Sequence, residues 1–218
     1  YDGPIVILVD KLSASASEIL AGVIQDYDRG LVIGSQTFGK GTVQRMIELS
    51  HGHLKFTEQK YYRVSGESTQ NKGVEPDITI PLVFNDEEIG ERSYENSLPY
   101  NHIDPIFYRS FNKVENVDLL KTISSNRTNS NEMSIYISSQ QDFYENEKNN
   151  NVVPINVEKR KSMKFAREAK ILLMENTFRK SLNLEPFVTY NEFVNSDPEE
   201  ISELREEIVL QEAAEILV

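Results

Sequence analysis

Residues 4–9, Pro-Ile-Val-Ile-Leu-Val, are apolar without alternation. A strand wet on one face alternates with period two, so an unbroken β-branched run implies a strand covered on both faces, the situation of a parallel sheet. A parallel neighbour requires a crossover connection, usually a helix. The next residues supply one: Ala16, Ile19, Leu20, Val23, Ile24 and Tyr27 recur at three- and four-residue spacing, and Gly30 offers a stop. Residues 31–34, Leu-Val-Ile-Gly, read as a second buried strand. Strand, helix and strand fit within about thirty residues, the size of one βαβ unit, and the first part of the chain is therefore expected to be α/β.

Two β-rich runs follow, 41–49 and 53–64, separated by Ser50-His51-Gly52 as a hairpin turn. Residues 71–82 carry the Gly and Pro punctuation of a turn leading into a short strand over Ile78 to Leu82. From about residue 84 the texture changes. Buried-strand signals thin out, and the polar stretches 124–132 and 146–151 read as loops. Two long helices are expected later: one over 157–182 with Phe165, Ala169, Leu172, Leu173 and Phe178 as its apolar side, and one over 198–216 carrying Ile201, Leu204 and Ile208. The expected organisation is an α/β segment, 1–83, and a mostly helical segment, 84–218.

Composition removes several classes of function. With 23 basic against 35 acidic residues the net charge is −12, an unfavourable field for a phosphate backbone, so nucleic acid is not an expected partner. The basic run 158–164 reads as a solvated helix face among Glu158 and Glu168. The last helix, with Glu199, Glu200, Glu203, Glu206 and Glu207 on one side, could dock on a partner, but the expectation is packing on the chain's own core, which buries the Ile201 and Leu204 stripe. The absence of cysteine excludes disulfides, thiolate catalysis and zinc-thiolate sites. No apolar run approaches the roughly 18–20 residues that span a bilayer. No signal peptide is visible, and Tyr1 leads almost directly into a strand, so the chain is expected to begin inside a larger protein.

The chemistry concentrates at residues 10–22, Asp-Lys-Leu-Ser-Ala-Ser-Ala-Ser-Glu-Ile-Leu-Ala-Gly, where three alternate serines sit between strand and helix. Ser15 through Glu18 fits the S-x-x-E capping box. The same junction suits a nucleophile, because free amides and the helix dipole at a helix start stabilise an oxyanion. A serine needs a base. His51 and His53 flank a turn and His102 lies far along the chain, so a histidine triad is disfavoured, and the pair around Gly52 lacks a third metal ligand. Lys40, between Gly39 and Gly41, is the other candidate, provided its surroundings lower a lysine pKa from about 10.4 toward roughly 7–8. Gln44 follows on the same face of a strand about 13 Å away, within reach of the amine only if the chain bends at Gly41. Asp26, roughly 16 Å along the helix from Ser15, has no expected catalytic role. Gly34 to Lys40 also spells most of a nucleotide-binding P-loop, but Gly41 replaces the Ser or Thr needed for magnesium and a strand pattern replaces the following helix.

In Val9–Tyr27, in Val32–Gln44 with its lysine 25 residues after the middle serine, and in Lys72–Ile78, the sequence resembles the C-terminal processing peptidases, or tail-specific proteases, a family of Ser-Lys peptidases. Residues 90–104 resemble, more loosely, the Gram-negative periplasmic branch. The resemblance implies Ser15 as nucleophile, Lys40 as base, Gln44 orienting the lysine and the Ala16 amide as part of the oxyanion hole; spacing alone does not prefer Ser15 over Ser13 or Ser17, whose expected role is local bonding. It further implies a crotonase/ClpP-like core present in part, no metal or organic cofactor, protein substrates with unstructured apolar C-termini, a possible adaptor, and a periplasmic or cell-envelope location. Family members carry a PDZ domain and a second oxyanion donor upstream, so the expectation is a C-terminal fragment that is inactive alone. A non-catalytic scaffold with a vestigial dyad is the alternative from another class.

Overall fold

A computed structural model describes residues 1–80, 89–110, 114–149, 152–196 and 198–217. They gather into two compact units, Tyr1–Ser124 with Glu212–Val218, and Ser125–Gln211. The expected boundary near residue 84 and the end of the strand expected to reach Leu82 lie outside the described residues.

The βαβ unit forms as the sequence dictates. β1 (Val6–Val9) is followed by α1 (Ala16–Asp26) and β2 (Leu31–Gly34), and the strands pair in parallel, Val6 opposite Leu31 through Val9 opposite Gly34. β3 (Thr42–Glu48) and β4 (His53–Lys60) form a separate antiparallel hairpin. β5 (Ile78–Thr79) returns to the other edge of β2, giving the order β1-β2-β5. Val32, Ile33 and Val74 are fully buried, and each such side chain contributes about 1.5–3 kcal/mol through removal from water.

The helix buries a different face from the one its apolar spacing predicts. Glu18, Ala21 and Gly22 are buried, whereas Ile19, Leu20 and Val23 stay 45–54% exposed. The reason is closeness of approach: a Cβ on Gly22 would lie 3.3 Å from the Arg63 side chain, so the small-residue face packs inward. Gly30 is not the helix stop either. The helix ends at Asp26, with Asp28 in the left-handed region (φ 51°), and Gly30 is needed because a Cβ there would stand 2.4 Å from the Ile5 carbonyl.

At the hairpin tip Gly52 has φ +94° and the Leu49 amide donates to its carbonyl at 2.9 Å. His51 and His53 are exposed there, and His102 meets Glu67 in an isolated β-bridge. Residues 90–108 continue along the first unit as a 3-10 turn at Glu91–Ser93 and then largely irregular chain, with the Ile103 amide bonded to the Gly66 carbonyl and the Ile106 amide to the Val64 carbonyl.

The helical part has more helix than its polar texture suggests. α2 (Val117–Asn129), α3 (Glu132–Asn149), α4 (Val157–Ser181), α5 (Tyr190–Val194) and α6 (Pro198–Leu217) follow. Residues 124–132 and 146–149, expected as loops, are helical apart from a break at 130–131. Two effects outweigh the Ser and Asn content. Met133, Tyr136, Ile137 and Phe143 form a buried stripe on α3. Thr122, Ser130 and Asn146 each bond a carbonyl four residues back, so their polar groups are satisfied within the helical geometry.

In the second unit Tyr136 stacks on Phe178 with ring centroids 4.4 Å apart and donates to the buried Glu175. α4 matches its expected span; Phe178 is buried but Phe165 and Leu173 are exposed. Lys161 and Lys164 of the basic run pair with Glu158 and Glu168 along the helix. On α6, Leu204 and Ile208 are half-buried, full burial falls later at Ala213 and Ile216, and the Ile201 side chain lies outside the described residues.

Candidate active site

The segment entering α1 is built from its own side chains. Asp10 Oδ1 accepts from the Leu12 amide, the Ser13 amide and the Ser13 hydroxyl at 2.9–3.0 Å, an Asx turn that reverses the chain after β1. Ser17 Oγ donates to the Ala14 carbonyl at 2.9 Å. Ser13 and Ser17 therefore take the local bonding roles expected of them. Ser15 Oγ donates no hydrogen bond among the described residues.

Ser15 itself has φ 60° and ψ −113°, a conformation costing a non-glycine residue about 1–3 kcal/mol unless its surroundings impose it. The imposing group is Glu18, wholly buried. Its Oε2 accepts from the Ser15 amide at 2.7 Å, the return half of the expected capping box. The same oxygen accepts from the Lys40 amide at 2.9 Å, while Oε1 accepts from the Thr37 hydroxyl at 2.6 Å and the Gly39 amide at 2.7 Å. Four donors satisfy a buried carboxylate that would otherwise be prohibitively costly. Two amides sharing one acceptor lie within about 6 Å of each other, so Glu18 joins the main chains of Ser15 and Lys40.

A second residue joins the same two positions on the carbonyl side. Tyr61 Oη donates to the Lys40 carbonyl at 2.6 Å and lies 3.3 Å from the Ser15 carbonyl, while Thr69 Oγ1 donates to it at 2.9 Å. Burial, partly opposed by the Thr69 bond and reinforced by the Glu18 charge, pushes the Tyr61 phenol up to about 12. It remains a donor wherever the protein is folded and near neutrality.

The lysine loop is held along its length. The Ser35, Thr37 and Phe38 amides donate to Val9, Val74 and Ser13 carbonyls, and the Gly41 amide donates to Gln70 Oε1 at 3.0 Å. With the Gly39 and Lys40 amides bound to Glu18, the nitrogens that a P-loop would present to phosphate are already engaged, and β3 follows where a helix would be required. This geometry rules against nucleotide binding at Gly34 to Lys40.

The Lys72–Ile78 motif is the floor of this loop. The Val74 amide donates to Thr37 Oγ1 at 2.7 Å, Asp77 Oδ2 accepts from the Val32 amide at 2.8 Å, and Asp77 Oδ1 accepts from Gln25 at 2.9 Å. Residues 90–98 brace it from another side, through the Glu91 amide on the Phe38 carbonyl (2.9 Å) and Gln70 Nε2 on the Leu98 carbonyl (3.0 Å).

The structure thus brings together the main chains of Ser15, Ala16 and Lys40. Ala16 opens α1 and is exposed, and the first amides of a helix have no intrahelical acceptor. Gln44 is exposed on β3, and its side chain makes no hydrogen bond among the described residues. The irregularity that sets its direction is a register shift between Val43 and Gln44, where Val43 faces Gln59 and Gln44 faces Thr57. Gly39 has φ +93°, an unusual backbone that glycine permits. Gly41 does not share it; it is glycine because a Cβ would stand 2.5 Å from the Gln70 amide. Asp26 forms a two-pronged ion pair with Arg63 at 2.6 and 2.9 Å, a structural role. The cross-chain duties of Glu18, Tyr61 and Gln70 escaped the sequence. Only Glu18 had a signal, its capping-box spacing.

Two family models match the chain. The model of peptidase family S41 matches residues 1–80, and that of the C-terminal domain of tail specific protease matches residues 84–218. The chain is 41% identical over 127 residues to a tail-specific protease of Haemophilus influenzae, covering 54% of this chain and 18% of that protein. It is 50% identical over 78 residues to a carboxy-terminal-processing protease of Bartonella bacilliformis, covering 35% and 18%. A solved structure, the photosystem II D1 C-terminal processing protease, matches 35% of this chain and 20% of its own at 42% identity, with a TM-score of 0.33. The chain therefore spans about a fifth of the length of these relatives. Since the C-terminal-domain model alone covers more than half of the 218 residues, and the peptidase model covers the segment that holds Ser15, Lys40 and Gln44, the chain belongs to the tail-specific protease family.

Proposed function

We propose that this chain supplies the nucleophile and base of a serine endopeptidase that degrades or processes proteins chosen by their C-terminal tails. The observation that carries this reading is the Glu18 carboxylate, one oxygen of which binds the amides of both Ser15 and Lys40. In the proposed reaction Ser15 Oγ attacks the scissile carbonyl carbon while its proton passes to the Lys40 side-chain nitrogen. The tetrahedral oxyanion is held in part by the Ala16 amide at the start of α1. Collapse breaks the C–N bond, Lys40 returns the proton to the leaving amine, and water hydrolyses the acyl-Ser15 ester by the same base. Gln44 orients the lysine once the site is assembled, and no metal or organic cofactor takes part.

The second oxyanion donor and a PDZ domain that captures the substrate tail are assigned to parts of the longer family architecture, and the 218 residues alone are proposed to be inactive. Residues 90–104 favour a periplasmic setting, to be checked by fractionating cells that make the full-length protein, and an adaptor remains part of the proposal. The test of function is cleavage of an unstructured, apolar-tailed peptide by the full-length protein. Ser15→Ala and Lys40→Ala should each abolish turnover, whereas Ser13→Ala and Ser17→Ala should retain it. Undiminished cleavage by Ser15→Ala refutes the assignment.

A further inference from the structure

Lys40 sits between two glycines, and Gly39 has a backbone angle that other residues avoid. A Gly-Lys-Gly segment has little conformational preference of its own. Yet a base must be held to within a fraction of an ångström of its proton donor, and a displacement of about 1 Å can cost a factor of about a hundred. The direction in which a side chain leaves the backbone is set by the two peptide planes flanking its Cα. One plane of Lys40 is fixed by Glu18 through the amide; the other is fixed through the carbonyl, by Tyr61 at 2.6 Å.

We propose that Tyr61 is a positioning residue for the reaction, its hydroxyl fixing the Lys40 carbonyl, and with it the base, against the Ser15 segment. The inference rests on the Ser15–Lys40 reading above. Tyr61 is suited to the task because it is itself held at both ends. Its amide donates to the Gly41 carbonyl at 3.1 Å, and Thr69 Oγ1, fully buried, donates to the phenol oxygen. That donation occupies a lone pair and directs the phenol proton toward Lys40. The neighbouring Ser15 carbonyl, 3.3 Å away, is already bonded by the amides of Glu18 and Ile19, so the phenol proton belongs to Lys40.

The experiment uses the full-length protein and the variants Tyr61→Phe, Thr69→Val, Ser15→Ala and Ile33→Val, each assayed well below its own melting temperature. Turnover of an unstructured peptide gives kcat and KM, and a small fluorophosphonate reports the reactivity of Ser15 without peptide binding. Tyr61→Phe should lower kcat and the labelling rate together by roughly 10- to 100-fold with KM within about twofold. Thr69→Val, which keeps the phenol but frees its rotation, should give a smaller loss of the same kind and serves if Tyr61→Phe does not fold. Ile33→Val, a core truncation on β2, should lower the melting temperature and leave both rates unchanged. Wild-type kcat and labelling in Tyr61→Phe, or losses matched by Ile33→Val at equal destabilisation, would overturn the proposal while Ser15→Ala remains inactive. Activity in Ser15→Ala would instead overturn the dyad reading itself, and the role of Tyr61 with it.

Discussion

Replacing Glu18 with glutamine tests the central joint of the site. The carboxylate accepts four hydrogen bonds, two at each oxygen, in a fully buried position. An isosteric amide retains one accepting oxygen and puts an NH2 group where the other stood. Two of the four bonds are then lost, and an added donor faces two buried donors. At about 1.5–3 kcal/mol for each hydrogen bond to a charged group, the cost is on the order of 3–6 kcal/mol. At roughly 2–4 °C per kcal/mol for a chain of this size, the melting temperature should fall by at least about 6 °C. Hydrogen exchange followed by mass spectrometry locates the loss. Peptides covering residues 13–18 and 37–41 should exchange faster in Glu18→Gln, whereas those within Ser125–Gln211, a separate compact unit, should not change. In the full-length protein kcat should fall with the loss of order. A melting temperature within about 2 °C of wild type together with unchanged exchange at Ser15, Gly39 and Lys40 would refute the view that this carboxylate holds the site together.

Two further outcomes follow from the same network. Gly73 has φ +70°, and a Cβ there would lie 2.7 Å from the Thr37 carbonyl, so Gly73→Ala should destabilise the chain by at least about 1–3 kcal/mol in urea unfolding. Tyr61 titrates near 12 in the folded chain against about 10 when unfolded. Between those values the folded state binds the extra proton, so its contribution is fully present below pH 10 and is lost as pH rises toward 12. The wild-type melting temperature should therefore fall more steeply over that interval than that of Tyr61→Phe, and parallel curves would contradict the burial of the phenol.

The extent to which the chain was legible in its sequence varies with the range of the interactions. Unalternating apolar runs gave β1 and β2, but only β2 is buried throughout; β1, at the sheet edge, leaves Leu8 exposed. Glycine and turn residues gave the hairpin, and helical spacing gave α4 and α6 almost to the residue. Legibility failed wherever packing partners decided. The apolar stripe Ile19, Leu20 and Val23 signals a helix correctly but not the buried side, which the close approach of Arg63 to Gly22 selects. The Ser- and Asn-rich stretches of α2 and α3 signal loops by composition, and became helix because four buried residues of α3 anchor them and backbone carbonyls absorb their polar groups.

For the proposed site, the sequence by itself supplied the candidates: a serine at a strand-to-helix junction, a lysine between glycines, a glutamine beyond it, and a glutamate at capping distance. These are local spacings, fixed by chain connectivity and legible without coordinates. Tertiary structure alone decided how the serine and lysine segments are held. One carboxylate gathers amides more than twenty residues apart, and a tyrosine with no local signature closes the same junction from the carbonyl side. Hydrogen bonds between distant segments depend on where the sheet and loops bring them, and no periodicity or motif within either segment encodes that meeting.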